Sequence, residues 1–334
     1  MGYEGKIAKE LGVRNEQVAA TIKLLDEGAT VPFISRYRKE ATGSLDDLQV
    51  ASIRDRLQQL RDLDARKEAI LKSIKEQEKL TPELEAKILG AETMAVLEDL
   101  YLPYRPKRKT RASVAKERGL EPLAARIFDQ KDFDVHSFAT DFVDEEKEVA
   151  NEEAALAGAR DIIAEWINED AEIRKRIRVL FMKSGVISSK VLKSKEAEAA
   201  KYKDYFDWSE SVQKIPSHRL LAIRRGANEG LLTFSIAPPE EEAISIIERE
   251  VLKGSNQAAS QVKMAIQDCY KRLMSVSMET EVRVETKKKA DEEAIAVFAE
   301  NLKQLLMSAP LGQKALMALD PGFRTGCKVV CLDD

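Results

Sequence analysis

The chain has 334 residues, 44% of them hydrophobic and 34% charged, so two or three soluble domains are expected. Aromatic residues make up only 6%, and Gly (15) and Pro (10) are sparse, which argues against an all-β protein. The formal net charge of -4 gives no global attraction to nucleic acid, so a nucleic-acid role would depend on local basic patches.

Residues 1–80 predict a helix-turn-helix-like region and then a long amphipathic helix. Gly12 and Gly28 end the two short helices. Apolar residues recur at spacings of three and four in both: Ile7, Ala8, Leu11, Val18, Ile22 and Leu25. The second helix offers only Lys23 as a cation, so a packing hairpin is favoured over a DNA-reading element.

The long helix is predicted to begin after Ser44, which can cap it, with Asp47 three residues later. Its narrow apolar stripe consists of Ile53, Leu57, Leu60, Leu63, Ile70 and Ile74. A stripe of this width between charged residues is typical of a coiled-coil-like pair.

Residues 81–311 are predicted to be a helical central region with one short β element near 230–237. Helices are expected to begin at Thr81-Pro82, Ser113 and Glu121. Pro103 and Pro106 are expected to keep the chain around them extended. Further helical patterns cover 145–183, 196–206, 240–253 and 258–308. Only GLLTFSIAPP reads as a strand in this region.

The last segment, 312–334, follows a boundary marked by Pro310 and Gly312 and predicts a β-hairpin. Its turn contains Asp320, which could bind a metal ion at the end of a strand. Metal-assisted phosphoryl chemistry needs several converging carboxylates, and Asp333 and Asp334 are the only other acids nearby. On spacing alone, Asp320 is better explained as the first residue of a β-turn, so no metal site is assigned.

Three basic stretches are candidates for nucleic-acid contact. Cations can meet phosphates, and the aromatic residues among them can stack on bases. The candidate residues are Arg36, Arg38 and Lys39; Arg105, Lys107, Arg108, Lys109 and Arg111; and Arg219, Arg224 and Arg225. Each stretch has an ordinary alternative, since cations complement helix C-termini and pair with carboxylates on neighbouring helices.

Neither a membrane segment nor a catalytic cysteine or histidine arrangement is evident. No apolar run approaches the ~18 residues of a membrane span, and the charged N-terminus is unlike a signal peptide. Three cysteines without a CxxC pair and two isolated histidines favour neither a disulfide framework nor a zinc site. A cytoplasmic location is expected.

The sequence resembles the N-terminal half of Tex, a family of bacterial transcription accessory proteins. Four stretches carry the resemblance, in the family's order: TVPFISRYRKEATGSLDD, YLPYRPKRKTRASVAKERGLEPLA, DYFDWSESVQKIPSHRLLAIRRGANEGLL and ALDPGFRTGCKVV. The resemblance implies a helical N-terminal region with a helix-turn-helix, then a YqgF-type RNase H-like domain, helix-hairpin-helix elements and an OB-fold RNA-binding domain. Residues 312–334 would then be the first hairpin of a truncated RNase H-like domain, and the chain a fragment.

The resemblance implies a mainly α, elongated, multi-helical scaffold that binds RNA or DNA without sequence specificity. Components of the transcription machinery are further expected partners. Asp320 would occupy the first metal-binding position of RNase H-like nucleases, but the remaining carboxylates would lie beyond residue 334. The chain is therefore not expected to be an enzyme or to need a cofactor.

Two alternatives remain open at this point. The first is a protein-interaction scaffold whose helices make no nucleic-acid contact of their own. The second is half of a metal-dependent RNase H-like nuclease, in which Asp320 would bind Mg²⁺.

Overall fold

The computed structural model describes residues 2–106, 108–310, 312–322 and 326–333. Within these residues the protein is mainly α-helical, as predicted, with sixteen α-helices and five β-strands. Backbone contacts divide the chain into two compact units. Unit 1 comprises Met1–Ile177 and Ala243–Met274, and unit 2 comprises Arg178–Glu242 and Ser275–Asp334. The domain limits predicted at 80 and 311 stay predictions.

The secondary-structure elements described in unit 1 are all helices, apart from one isolated β-bridge between Asp144 and Val149. Its first part contains α1 (Tyr3–Leu11), α2 (Asn15–Asp26), α3 (Val31–Tyr37), α4 (Lys39–Thr42), α5 (Asp47–Glu76), α6 (Pro82–Gly90) and α7 (Met94–Tyr101). Its second part contains α8 (Arg111–Glu117), α9 (Glu121–Phe128), α10 (Val135–Thr140), α11 (Glu152–Asn168) and the beginning of α12 (Ala171–Ser184). The chain later returns to unit 1 through α14 (Glu240–Val251) and α15 (Gln257–Asp268). No helix among the described residues is both long and apolar enough to cross a membrane.

The long helix α5 has the predicted apolar stripe. All six stripe residues are buried: Ile53, Leu57, Leu60, Leu63, Ile70 and Ile74. Helices α1, α2 and α3 cover its first half, and α6 and α7 cover its second half. The predicted coiled-coil-like pairing is therefore wrong, because several short helices share the stripe that one long partner would have covered.

The cap of α5 also differs from the prediction. Asp46 accepts a hydrogen bond from the Gln49 backbone N–H at 2.7 Å, and the Gln49 side chain accepts one from the Asp46 N–H at 3.1 Å. Ser44 has a φ of +65°, whereas a capping residue needs an extended backbone. The capping box therefore lies two residues further along the chain than predicted.

The polar side of α5 is tied to its neighbours by arginine–carboxylate pairs. Arg56 contacts Glu10 of α1 at 2.5 Å, Arg61 contacts Asp26 of α2 at 2.8 Å, and Arg66 contacts Glu98 of α7 at 2.6 Å. The hydrogen bond from Arg61 lowers the pKa of Asp26, and the hydrogen bond from Arg56 lowers the pKa of Glu10. Such partly exposed pairs are each worth about 0–1 kcal/mol. They orient the helices more than they stabilise them.

Helix α11 forms the centre of the second part of unit 1. Residues on its inner face are fully buried against α8, α9, α10 and α15: Ala155, Leu156, Ala159, Ile162 and Ile163. The single helix predicted over 145–183 is in fact two helices. Asp170 separates them, because its side chain accepts the backbone N–H of Ile173 at 2.9 Å and so starts α12.

A buried ion pair joins α7 to α12 within unit 1. Arg174 Nε donates to Asp99 Oδ1 at 2.6 Å, and the two side chains are only 6% and 5% exposed. Burying two charges has a large desolvation cost, which only a close and well-oriented contact offsets. The pair therefore fixes where α12 begins relative to α7.

Unit 2 contains a three-stranded antiparallel sheet. Its strands are β1 (Val186–Val191), β2 (Asp207–Ser211) and β3 (Leu232–Ala237), in the order β2-β1-β3, with α13 (Ser217–Asn228) and α16 (Ser275–Leu306) packed against β3. The predicted β element is β3, but β1 and β2 were not predicted. Strand β1 buries Ser189, and the Ser189 hydroxyl donates to the Tyr205 carbonyl oxygen at 2.6 Å. Because a polar residue occupies this buried position, the sequence of β1 lacks the alternation of apolar and polar residues that predicts a strand.

Three further predictions concern unit 2 and the segment of unit 1 that leads into it. Residues 200–205 of the helix predicted over 196–206 form a 3₁₀ helix, while Trp208 lies on β2. The pattern over 258–308 is α15, a π-helix at Cys269–Met274 and α16. The predicted terminal hairpin is confirmed as β4 (Leu316–Pro321) and β5 (Cys327–Leu332), which are antiparallel. Its RNase H-like assignment stays a prediction, as does the helix-turn-helix assignment of α1 and α2.

Gly158 of α11 should resist substitution by alanine. A Cβ at this position would lie 2.3 Å from Cδ1 of Leu120, a residue that is 1% exposed and cannot move into solvent. Overpacking of this kind costs about 1–3 kcal/mol, against a gain in helix propensity of up to about 1 kcal/mol. We expect Gly158→Ala to lower the urea midpoint. Gly90→Ala is the control, since nothing lies within 4 Å of its Cβ and only the propensity gain applies. A higher midpoint for both variants would contradict the packing argument.

The Asp99–Arg174 pair should behave as a buried charge pair. Asp99→Ala removes the carboxylate that neutralises Arg174 and should lower the free energy of unfolding by about 3–5 kcal/mol. Asp26→Ala, at the surface pair with Arg61, should lower it by about 0–1 kcal/mol. Replacing both buried partners, by Asp99→Leu with Arg174→Met, should recover most of the loss. Equal shifts for the two alanine variants in urea unfolding would contradict this assignment.

Candidate nucleic-acid interface

The first basic stretch lies on the outer side of α3 and α4 in unit 1. Arg36, Arg38 and Lys39 are all exposed. Within the described residues, none of the three has a carboxylate oxygen within 4.0 Å. Glu40, the acid nearest to them in sequence, is exposed as well. The stretch is therefore a local cationic surface rather than part of an ion-pair network.

Helix α3 is held in place by its inner side. Ile34 is fully buried in the cluster that contains Val50 and Ile53 of α5. The Ser35 hydroxyl donates to Asp47 and lies 3.1 Å from the carbonyl oxygen of Val31. Inward residues at 34 and 35 leave positions 33, 36 and 37 facing solvent, because they are on the other side of the turn.

The end of α4 is fixed by a side chain from α2. Gln17 Nε2 donates to the carbonyl oxygens of Thr42, at 3.0 Å, and of Gly43, at 3.1 Å. Gly43 has a φ of +60°, and a Cβ there would lie 2.8 Å from the Arg14 side chain. The turn after the cationic surface is therefore specified by Gly43 and Gln17 together.

Two exposed aromatic rings lie beside these cations. Phe33 is 39% exposed and Tyr37 is 66% exposed, and their ring centroids are 5.7 Å apart with a tilt of 41°. The guanidinium carbon of Arg38 lies 5.2 Å from the Phe33 centroid, within cation–π distance. The sequence interpretation noted aromatic residues among the cations, but its candidate site residues were all cations and Phe33 was not considered. The missed signal was the i, i+4 spacing of Phe33 and Tyr37, which places the two rings next to each other on the helix surface.

The second basic stretch, 105–111, is anchored at both ends. The Gln77 side chain, at the end of α5, donates to the carbonyl oxygen of Tyr104 at 2.9 Å. At the other end, Thr110 accepts the backbone N–H of Ser113 at 3.0 Å and caps α8, which therefore begins two residues before the predicted start. The Thr110 hydroxyl also donates to Glu165 of α11 at 3.2 Å.

Most cations of this stretch face solvent. Arg105 and Arg108 are exposed, and within the described residues neither has a carboxylate oxygen within 4.0 Å. Lys109 lies 4.0 Å from Glu117, with both side chains largely exposed. Lys107 lies outside the described residues. Arg111 is exposed, and its charge acts on Asp161. Burial raises the pKa of the Asp161 carboxyl group, and the charges of Arg272 and Arg111 oppose that rise.

The third stretch, on α13 in unit 2, is largely engaged within the protein. Arg219 pairs with Glu210 at 3.1 Å. Arg224 is half-buried: its Nη1 donates to the carbonyl oxygen of Arg283 at 3.0 Å, and its guanidinium lies 5.6 Å from the Phe234 centroid. Burial, and secondarily the charge of Arg283, lowers the pKa of Arg224. Of the three predicted residues, only Arg225 is exposed without a carboxylate oxygen within 4.0 Å in the described part of the chain.

Asp320 lies within strand β4 of the terminal hairpin, so the prediction that it begins a β-turn is wrong: the pairing of the two strands continues one residue beyond it, to Pro321 and Cys327. It pairs with Lys328 across the two strands, and the Lys328 Nζ is 4.0 Å from its carboxylate. Its side chain is 76% exposed. Across the described ranges, no group of three or more His, Cys, Asp or Glu residues is arranged to hold a metal ion.

Comparison with known proteins identifies the family. A family model described as "Tex central region-like" matches residues 130–298, about half of the chain, and one described as "Tex-like protein N-terminal domain" matches residues 1–75. The chain therefore belongs to the Tex family.

Curated relatives match almost the whole chain. It is 42% identical over 332 residues to the protein YdcI of Bacillus subtilis, and 43% identical over 338 residues to the "Transcriptional accessory protein Tex" of Neisseria gonorrhoeae, covering 98% of this chain in each case. It is 28% identical over 331 residues, 94% of this chain, to the human "S1 RNA-binding domain-containing protein 1". The chain spans 46%, 44% and 33% of the length of these three relatives, respectively.

The Gln17 side chain should control the local stability of the surface on α3 and α4. Gln17→Ala removes two hydrogen bonds to backbone carbonyls, each worth about 0.5–1.5 kcal/mol. We expect faster amide hydrogen exchange at 38–44 and a small decrease in the urea midpoint. Gln58→Ala, which loses only an exposed side-chain contact to Asp62, is the control. Unchanged exchange at 38–44 in Gln17→Ala would show that this side chain does not position the surface.

Proposed function

We propose that this Tex-family chain contacts RNA or DNA as part of a transcription accessory protein. The contact is made to the phosphate backbone by the exposed cations of 36–39 and 105–111. The observation that carries the proposal is that, among the described residues, five of these cations have no carboxylate oxygen within 4.0 Å, in a chain with 58 acidic and 54 basic residues: Arg36, Arg38, Lys39, Arg105 and Arg108. Arg56, Arg61 and Arg66 are paired with carboxylates, whereas Arg36, Arg105 and Arg108 are presented to solvent.

Phosphate contact explains this pattern better than packing does. A surface cation held beside a carboxylate is already neutralised locally, so it adds little to the attraction of a polyanion. An exposed guanidinium has all its donors available for a phosphate and releases counterions when it binds one. The net charge of -4 means that the attraction is local rather than global.

The relatives support a role near nucleic acid. One is named a transcriptional accessory protein, and the human relative is named for an S1 RNA-binding domain. Phosphate contacts carry no sequence information, so the proposed binding tolerates any sequence.

The proposed role is binding rather than catalysis. Asp320 is largely exposed beside Lys328, a surrounding that suits a surface carboxylate. Metal-assisted hydrolysis would require further carboxylates converging with it. A scaffold that contacts only proteins is the main competing function, and the following measurement separates the two.

Charge reversal in 105–111 should weaken binding in a salt-dependent way. The variant combines Arg105→Glu, Arg108→Glu and Arg111→Glu, three exposed cations with no carboxylate oxygen within 4.0 Å among the described residues. Loss of three phosphate contacts should reduce the slope of log Kd against log salt by about 2, given about 0.7 per contact for single strands. The measurement is fluorescence anisotropy of a labelled single-stranded oligonucleotide with the full chain, over a series of salt concentrations.

The control reverses three lysines that already have carboxylate partners, Lys131, Lys147 and Lys175. Both triple variants change the net charge equally, so a global charge effect would reduce the slope equally in both. We expect a clearly larger change for the 105–111 variant. An unchanged slope in that variant would refute phosphate contact by this stretch. No binding by the unmodified chain at low salt would favour the protein scaffold.

A further inference from the structure

We propose that Phe33 and Tyr37 form a stacking platform for the unpaired bases of a single-stranded nucleic acid. The proposal rests on the proposed function and adds a specific site, a ligand class and a mode of recognition to it. Tyr37 is the main contact, because its ring is the more exposed of the two. Phe33 contacts that ring, and Arg38 lies over Phe33.

The platform is one face of α3. Phe33, Arg36 and Tyr37 follow the i, i+3, i+4 spacing and so lie together on the helix surface. The centroids of the two rings are 5.7 Å apart, and the guanidinium carbon of Arg38 is 5.2 Å from the Phe33 centroid. The face therefore combines two π surfaces with two guanidinium groups. This combination matches a nucleotide, which offers a flat base and a phosphate a few ångströms apart.

Packing within unit 1 does not require the Tyr37 ring. The inner side of α3 is already anchored by Ile34, which is fully buried, and by Ser35, which is 4% exposed. Tyr37 makes a ring contact with Phe33 and leaves two thirds of its own surface in solvent. A tyrosine kept this exposed beside cations has both its ring face and its hydroxyl available to a ligand.

The platform favours single strands over duplexes. A base inside a duplex is stacked on its neighbours, so its face cannot reach a ring on a protein surface without the duplex opening. Unpaired bases expose that face, and stacking accepts every base because each has a π surface. Arg36, Arg38 and Lys39 would meet the phosphates on either side of the stacked base.

The test compares nucleic-acid binding by the unmodified full chain with binding by its Tyr37→Ala and Tyr37→Phe variants. The probes are a single-stranded RNA and a single-stranded DNA of about 12 nucleotides, within the range of known stacking platforms, plus a duplex and an abasic strand of the same length. Loss of one stacked base weakens binding roughly 5- to 100-fold. We expect this loss for Tyr37→Ala on the two single strands only. Tyr37→Phe keeps the ring and should bind like the unmodified chain.

Phe298→Ala is a matched control, because Phe298 is an aromatic residue of similar exposure, 67%, on α16 in unit 2. It should leave every affinity unchanged. The exposure of Tyr37 means that Tyr37→Ala should keep its fold, which the urea midpoint verifies.

Three results would overturn the inference. Unchanged single-strand binding by Tyr37→Ala, while the 105–111 charge reversal still weakens binding, would refute stacking and leave the proposed function intact. An equal loss on single strands, duplex and abasic strand would show that Tyr37 does not act on bases. Failure of the unmodified chain to bind any probe would refute both proposals.

Discussion

The apolar stripe of α5 is the constraint on which the arrangement of unit 1's basic stretches depends. A 30-residue helix with one narrow apolar face cannot remain uncovered in water, and short helices cover it from both sides. Ile34 ties α3 to its first half, and Gln77 ties the 105–111 stretch to its end. At 1.5 Å per residue the helix is roughly 45 Å long, so the two basic stretches are tied to different ends of one long helix.

The carboxylates decide which cations remain available. Arg56, Arg61 and Arg66 project from the same helix and are each paired with an acid from a neighbouring helix. Arg224 is engaged by a carbonyl oxygen and an aromatic ring. These arginines organise the fold, and the same residue type at 36, 105 and 108 is left to solvent. The count of basic residues in a stretch is therefore a poor guide to binding, since tertiary pairing determines the free charge.

The sequence predicts local features well where one helix or turn contains the whole signal. The α5 stripe, the start at Thr81-Pro82, β3 and the terminal hairpin all follow from spacing or turn chemistry. Strands β1 and β2 escaped prediction because their stability comes from pairing with each other and with β3. The Asp99–Arg174 pair joins residues 75 positions apart, and no local pattern specifies it. The burial of Arg224 was missed for the same reason.

The two modes of contact proposed for α3 have complementary physical properties. Phosphate pairing supplies attraction that weakens with salt and ignores sequence. Ring stacking is less sensitive to salt and distinguishes unpaired from paired bases, again without reading sequence. If the proposed contacts form, a surface that combines Arg36 and Lys39 with Tyr37 would select a state of the nucleic acid, the single strand, rather than a sequence. The two modes would then act together, because the phosphates bring any strand to the surface and the ring retains only strands with an unpaired base.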